Sequence, residues 1–446
     1  MDTLIARSPA EFADKQAINA RIGQEVTELD LHRRAVRVRD MDGGTEAWEG
    51  FDALMLATGA TPRRPELPGT EAAGVFGVQT LGDGLAVRAF LDHHAPRRAV
   101  VVGAGYIGLE LAEALCGWGV HVTLVDSGPA PMHTLDPDMG GMLTDAMGSF
   151  GMTLRLGETV TGFDTASGHV TGVVTDQASV PAEMVILGLG VRPNTRLAQA
   201  AGVPLGPSGA IAVDQRMRTS IEGVWAGGDC AEKFHRVSRH GVAIALGTHA
   251  NKEGRTAGIN IAGGYATFPG VVGTAVTKVC DIEIGRTGLG EHEARAAGYQ
   301  PLTVAVDSTT RAGYYPGAKP IRTKIIAEQG SGRLLGAQIV GEEGAAKRID
   351  VLAMALWHQA SVDDVMTTDL SYAPPFSPLW DPVLIAARKA WQHVEADRLG
   401  ADVAGGRGDR EPVGSDPVGQ AHREGEGVAG AGVQHVAEVD SARGLR

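Results

Sequence analysis

Gly103, Gly105 and Gly108 stand at GxGxxG spacing behind the apolar run Val100-Val101-Val102, and Asp126 closes the next apolar run, Val122-Thr123-Leu124-Val125. Each residue type has a physical task in dinucleotide binding. The first glycine permits a tight turn, the second lets a pyrophosphate approach the backbone, and the third lets a helix pack closely on its strand. The helix N-terminus that follows, opening on Tyr106 and Ile107, is an anion site. Asp126 can accept from a ribose 2′-hydroxyl, and Ser127 and Gly128 behind it bring no cation for a 2′-phosphate. The pattern therefore favours NADH over NADPH. To hold these residues the chain must supply a strand, a helix and a second parallel strand, which together make one βαβ unit.

The rest of the composition narrows the class. With 446 residues the chain can bury two or three domain cores, and 43% hydrophobic residues with 62 glycines read as a turn-rich α/β protein. A balance of 40 basic against 53 acidic residues, formal charge -13, argues against a nucleic-acid or anionic-membrane partner. The most apolar long window, Ala99 to Val120, contains Glu110 and Glu113 and is explained by the glycine turn, not by a membrane span. The opening residues do not form a signal peptide. Three cysteines, Cys116, Cys230 and Cys280, with no CxxC, fit a reducing, cytoplasmic setting and read as small core or loop residues. The 14 histidines are dispersed and predict no metal site.

Along the chain, Ile22 to Leu31, Ala35 to Asp40 and Phe51 to Ala57 read as strands, the last ending in Thr58-Gly59; Pro62, Pro65 and Pro68 follow as a stiff connector. The βαβ pattern then dominates to about Leu205, with a helix near Met139 to Met147 and a strand Met184 to Leu187 leading to Gly190. Ile211 to Asp214 and Val224 to Ala226 read as strands, the second running into Gly227-Gly228-Asp229, and a helix is expected from Val242 to Ile261. Strands at Ile321 to Ala327 and Leu334 to Val340 precede helices at Ala345 to His358 and Pro378 to Trp391. From 396 onward the composition predicts a disordered tail.

Thr58-Gly59 before the fingerprint and Gly228-Asp229 after it resemble two parts of a second dinucleotide domain. With the fingerprint they resemble the flavoprotein pyridine nucleotide-disulfide oxidoreductases. That resemblance implies a two-domain Rossmann-like α/β fold with the NAD(P) domain inserted in an FAD domain, plus an α+β C-terminal dimerisation domain. The boundaries it implies are 1–77 and 206–266 for FAD, 78–205 for NAD(P) and 267–395 for the interface. Asp229 would hydrogen-bond the flavin ribityl chain. Tyr314-Tyr315-Pro316 and Ser371-Tyr372-Ala373-Pro374-Pro375 are similar to the branch containing coenzyme A-disulfide reductases and single-cysteine NADH oxidases. In that branch, tyrosines at the positions of Tyr372 and Tyr314 reach the partner subunit's substrate pocket. Arg311 stands where the branch often has histidine.

The resemblance also carries a departure. Leu4 to Phe12 resembles a stretch the family reaches only after its first GxGxxG and its redox cysteine, and none of Cys116, Cys230 or Cys280 matches that nucleophile. The expectation is an N-terminally incomplete flavin domain with FAD binding weak or absent, arising from an upstream start or from a decayed paralogue. The resemblance implies a homodimeric oxidoreductase passing electrons from NADH through FAD to a disulfide, persulfide or oxygen. The alternative is a non-catalytic, nicotinamide-binding dimeric protein without flavin.

Overall fold

The computed structural model describes residues 6–405. Its centre is a five-stranded parallel sheet in the order Val75–Gly77, Met184–Leu187, Arg98–Val102, His121–Asp126 and Thr153–Leu156. Both faces of such a sheet are covered, so its strands are apolar throughout. Val100, Val101, Val102, Leu124, Val185 and Ile186 are all buried. The helix Tyr106–Gly117 covers one face with Leu109, Ala112 and Leu115, while Phe163, Val170 and Val173 of a three-stranded antiparallel sheet belong to the core on the other.

Before this unit, Gln24–Asp30, Ala35–Asp40 and Glu46–Gly50 form an antiparallel three-stranded sheet. After it, Val224–Ala226 returns to pair in parallel with Leu54–Leu56, so that Gly227 to Asp229 leaves a strand end beside the Thr58-Gly59 turn. The strand expected over Phe51 to Ala57 shortens to Leu54–Leu56. Phe51 instead donates its N–H to Arg34 O at 2.9 Å, and Asp52 and Ala53 turn outward. Ile211 to Asp214 is likewise reduced to isolated bridges, because Asp214 turns the chain by accepting from Met217 N at 2.9 Å.

The third substructure is a five-stranded antiparallel sheet in the order Ala275–Val279, Ile282–Gly288, Leu334–Gly341, Pro320–Glu328 and Pro301–Thr309. The helix Ala345–Trp357 lays Ile349, Leu352 and Leu356 against it. The final helix, Pro382–Gly405, starts where Asp381 Oδ1 accepts from Val383 N at 3.0 Å. It starts later than expected and continues through 396–405, where a disordered tail was anticipated; the rest of that segment, 406–446, lies outside the described residues. Among the described residues no helix is long and apolar enough to cross a membrane.

Candidate functional site

The site begins where the strand Arg98–Val102 ends. Gly103 has φ +100 and donates its N–H to Val125 O at 2.8 Å; a Cβ there would lie 2.6 Å from Gly188 O. A Cβ on Gly108 would lie 2.0 Å from Gly103 O, so this glycine brings helix and strand together. A Cβ on Gly105 would meet only Gly188 O, at 3.8 Å. The open space is thus at the second glycine, which also caps the helix without a side-chain partner. This arrangement fits a pyrophosphate on the helix N-terminus.

Asp126 is buried at the end of its strand, and its carboxylate is already engaged. Its Oδ2 accepts from Ala104 N at 2.6 Å and its Oδ1 from Gly128 N at 2.7 Å. The imidazole of His133 stands 2.6 Å from Oδ1 as well. Thr134, the next residue, donates its hydroxyl to Tyr106 Oη at 3.3 Å, and Thr175 and Arg155 hold the buried Glu158 nearby. Gly103, Gly105, Tyr106, Ile107, Asp126 and Gly190 all line one cavity of about 1260 Å³; Gly108 packs behind it.

That cavity runs on past Leu189 and Arg63 to Val242–Leu246 and to the third substructure, where Arg286, His292 and Glu293 line it. The helix expected from Val242 therefore begins only at Gly247. Gly241 and Val242 pair as a strand with Lys233 and Phe234, and Leu246 is extended. His235, at the same end, accepts from Ser238 N through Nδ1, and burial lowers its pKa. Arg286 pairs with Glu293 at 2.6 Å, which, with the neighbouring backbone donor, outweighs the burial of Glu293 and keeps its carboxyl below the usual range.

Thr58 and Gly59 lie between the substructures. Thr58 donates its hydroxyl to Asn194 O at 2.6 Å, and Asn194 N donates to Gly59 O at 2.9 Å, so these bonds tie the turn to the 190–194 segment. Gly228, at φ +79, donates its N–H to Glu253 Oε2 at 2.7 Å and accepts from Lys233 Nζ at 2.8 Å. Lys233 and Glu253 are both fully buried and 3.5 Å apart, and burial raises the Glu253 pKa. His249, one turn earlier, is buried with its Nδ1 unpartnered; desolvation, with Lys233 and Lys252, lowers its pKa to about 4. The half-buried Asp229 engages no described residue by a side-chain hydrogen bond. A free carboxylate beyond the C-terminal ends of two parallel strands fits an extended polyol, as expected of a second dinucleotide. His249 and Glu253 share one face of the Gly247–Ile261 helix at i, i+4 spacing, a signal the sequence carries, whereas Lys233 reaches them only through the tertiary fold, and His133 lies on a proline-containing loop with no periodic signal.

Tyr372 and Tyr314 are brought together by Ala312 N donating to Pro374 O at 3.2 Å. The neighbouring Tyr314 hydroxyl pushes the Tyr372 pKa up. Neither lines the cavity of its own chain. Arg311, beside them, pairs with Glu343. The thiols are elsewhere too: Cys230 points at Leu56 O and Gly227 O, burial pushes Cys280 up to about 11, and it raises Cys116 also. None of the three lines the cavity.

Comparison with known proteins adds the following. A family model described as pyridine nucleotide-disulphide oxidoreductase matches residues 5–257, and the model of that family's dimerisation domain matches 274–382. The chain is 39% identical over 388 residues to an NAD(P)H coenzyme A polysulfide/persulfide reductase of Pyrococcus horikoshii, covering 87% of this chain and 86% of that one. A NAD-dependent persulfide reductase structure from A. fulgidus superposes with TM-score 0.84 at 37% identity, covering 88% of this chain and 72% of the other. An FAD-dependent pyridine nucleotide-disulphide oxidoreductase from Desulfovibrio vulgaris gives TM-score 0.75 at 30% identity, covering 86% and 96%.

Proposed function

Because the chain belongs to the pyridine nucleotide-disulphide oxidoreductase family, we propose that it carries electrons from NADH to a sulfur acceptor, a persulfide, polysulfide or disulfide, ahead of oxygen. FAD and a nicotinamide nucleotide are the family's cofactors, and the flavin when bound supplies the hydride acceptance and the onward electron transfer. The observation that carries the reading is the continuity of one cavity, which starts at Asp126 and the Gly103 turn and reaches Leu246 and the third substructure. Donor and acceptor can thus meet inside one enclosure.

Each group of residues has a stated task. Gly105 and the N-terminus of the Tyr106–Gly117 helix hold the pyrophosphate of NADH, and Asp126 receives its ribose. Ile107 and Gly190 line the path toward the flavin, and Tyr106 stands at its side, held by Thr134. Gly228 and Asp229 hold the ribityl chain, with the turn fixed from behind by Lys233 and Glu253. Thr58 and Gly59 fasten the two nucleotide domains at their crossing. We assign 1–77 and 206–266 to the flavin domain, 78–205 to the NADH domain and 267–395 to dimerisation. The exposed side chains of Tyr314, Tyr372, Phe376, Leu379 and Trp380 support a homodimer in which the two tyrosines serve the partner's acceptor site. Cys116, Cys230 and Cys280, all free thiols, are consistent with a cytoplasmic setting.

The reading is tested by the visible spectrum of the purified protein during anaerobic NADH addition, followed by polysulfide, coenzyme A disulfide or air. With FAD supplied to the protein, a flavin band bleached by NADH and restored faster by a sulfur acceptor than by air is the expected result. A colourless protein that binds NADH and oxidises none would overturn it in favour of a nicotinamide-binding, non-catalytic role.

A further inference from the structure

Lys324 carries a charge that its burial would not tolerate alone. Its side chain is 3% exposed, and its Nζ lies 2.9 Å from Asp136 Oδ2, 2.7 Å from Asp138 Oδ1 and 3.5 Å from Glu291 Oε2. A buried ammonium is kept only where carboxylates and hydrogen bonds replace its water. Lys324 and Glu291 belong to the third substructure, whereas Asp136 and Asp138 follow the nucleotide strand His121–Asp126 in the chain. Asp136 is engaged further: its N–H donates to Gln338 Oε1 at 2.9 Å, and its Oδ1 accepts from Glu291 N at 3.0 Å.

The clamp leads back to the nucleotide site. Between Ser127 and Asp136 the chain forms neither helix nor strand, so its course is set by such contacts. Thr134 is held from the same sheet, for Arg286 Nη1 donates to its carbonyl at 2.8 Å. Its hydroxyl donates in turn to Tyr106 Oη at 3.3 Å. Met132, Leu135 and Met139 share one core with Ile282, Ile284 and Val340, which closes the seam with apolar surface. The nucleotide helix is gripped from that side as well: Thr277 donates its hydroxyl to Glu110 Oε1 at 2.7 Å, and Cys280 donates its N–H to Glu113 Oε2 at 2.9 Å. Tyr106 opens that helix and lines the cavity; Lys324 does not line it.

We propose that Lys324 is a positioning residue of the nucleotide site, acting through Asp136 and Thr134 on the ring of Tyr106. With the clamp closed the ring stays along the cavity wall; with the clamp open it is free to turn across the path of the nucleotide. The third substructure thus orders the NADH site of its own chain. This rests on the assignment of the Gly103–Asp126 site to a nicotinamide nucleotide.

The test is an NADH fluorescence titration of the full chain, which needs no flavin. Lys324→Met should bind NADH about fivefold more weakly, a factor within the range for residues coupled through one hydrogen-bond network. Asp138→Asn loosens the clamp without leaving a buried charge unpaired, and should bind about two- to threefold more weakly. It carries the test should Lys324→Met not fold. In a Tyr106→Phe background, where the tether to Thr134 is already gone, neither substitution should weaken binding further. With FAD supplied, the same factor should fall on the KM for NADH and not on kcat. Wild-type affinity in the clamp variants overturns the proposal and leaves the nucleotide site in place. The same loss with and without the Tyr106 hydroxyl, or a loss confined to kcat, also overturns it. Failure of the wild-type chain to bind NADH overturns the site assignment and the proposal with it.

Discussion

Gly103 and Gly188 face each other so closely that neither tolerates a side chain: a Cβ on Gly103 would lie 2.6 Å from Gly188 O, and one on Gly188 2.9 Å from Gly103 O. Gly103 is further bound to a left-handed φ of +100. Gly103→Ala should therefore lower unfolding free energy by roughly 2–4 kcal/mol, from overpacking and backbone strain together. Gly105→Ala has room and an ordinary φ of −83, so its stability should stay within about 1 kcal/mol. Its NADH affinity should nevertheless fall at least about tenfold, because the added methyl occupies the pyrophosphate's approach. Urea unfolding and NADH fluorescence titration separate the two. Equal NADH affinity in Gly105→Ala and wild type would refute the pyrophosphate assignment.

Asp126→Asn tests the ribose end. The carboxylate accepts from Ala104 N and Gly128 N at once, and an amide can satisfy only one of them while presenting its NH₂ to the other. Losing one charge-assisted bond to NADH is worth about 1.5–3 kcal/mol, so kcat/KM for NADH should drop about ten- to a hundredfold, mostly through KM. Steady-state kinetics at saturating acceptor measures it. A change confined to kcat would count against Asp126 as a ribose ligand.

Tyr372 and Tyr314 are neighbours on exposed loops outside their own chain's cavity. If they serve the partner's acceptor site, Tyr372→Phe should reduce turnover with a sulfur acceptor about a hundredfold, the lower end for a positioned proton donor, and leave NADH affinity unchanged. The decisive comparison is the rate of enzyme reduction by NADH against the rate of reoxidation. Slower reduction would mean that Tyr372 belongs to the NADH side.

How much of this was legible beforehand follows from what kind of interaction fixes each residue. Gly103, Gly105, Gly108 and Asp126 are set by local chain geometry within one βαβ unit, so their spacing announced them; Gly103, Gly105 and Asp126 line one cavity and Gly108 packs behind it. The family resemblance, carried by short motifs from Thr58 to Tyr372, predicted the domain types that the family models match. What stayed hidden depends on contacts between distant segments. His133 reaches Asp126 only because Met132 is anchored to Ala104, and Arg286 comes to the same loop from 152 residues away. Val242 to Ile244 is apolar enough to continue a helix, yet pairing of Val242 with Lys233 keeps it extended. Lys233 and Glu253 read as ordinary charged residues and are in fact fully buried.

That burial makes a pH dependence calculable. His249 has a folded pKa lowered from its ordinary 6.5 to about 4, first by desolvation and then by Lys233 and Lys252. Below about pH 6.5 the unfolded chain binds a proton there that the native protein refuses, so stability should fall as pH drops from 6.5 toward 4 and level off below. The full contribution is at most about 3 kcal/mol, given 1.36 kcal/mol per unit. Glu253 acts with the opposite sign, since burial raises its pKa: its native form holds a proton that the unfolded chain releases, and stability falls as pH rises from its ordinary 4.5 through its folded value. Glu253→Gln removes that opposing slope. In this background, urea midpoints measured at about pH 7, 6 and 5 should decline more steeply than in the same background carrying His249→Leu, because other carboxylates contribute equally to both. Parallel declines in the two proteins would mean that His249 titrates alike in the folded and unfolded chain, and that burial beside Lys233 and Lys252 does not hold it neutral.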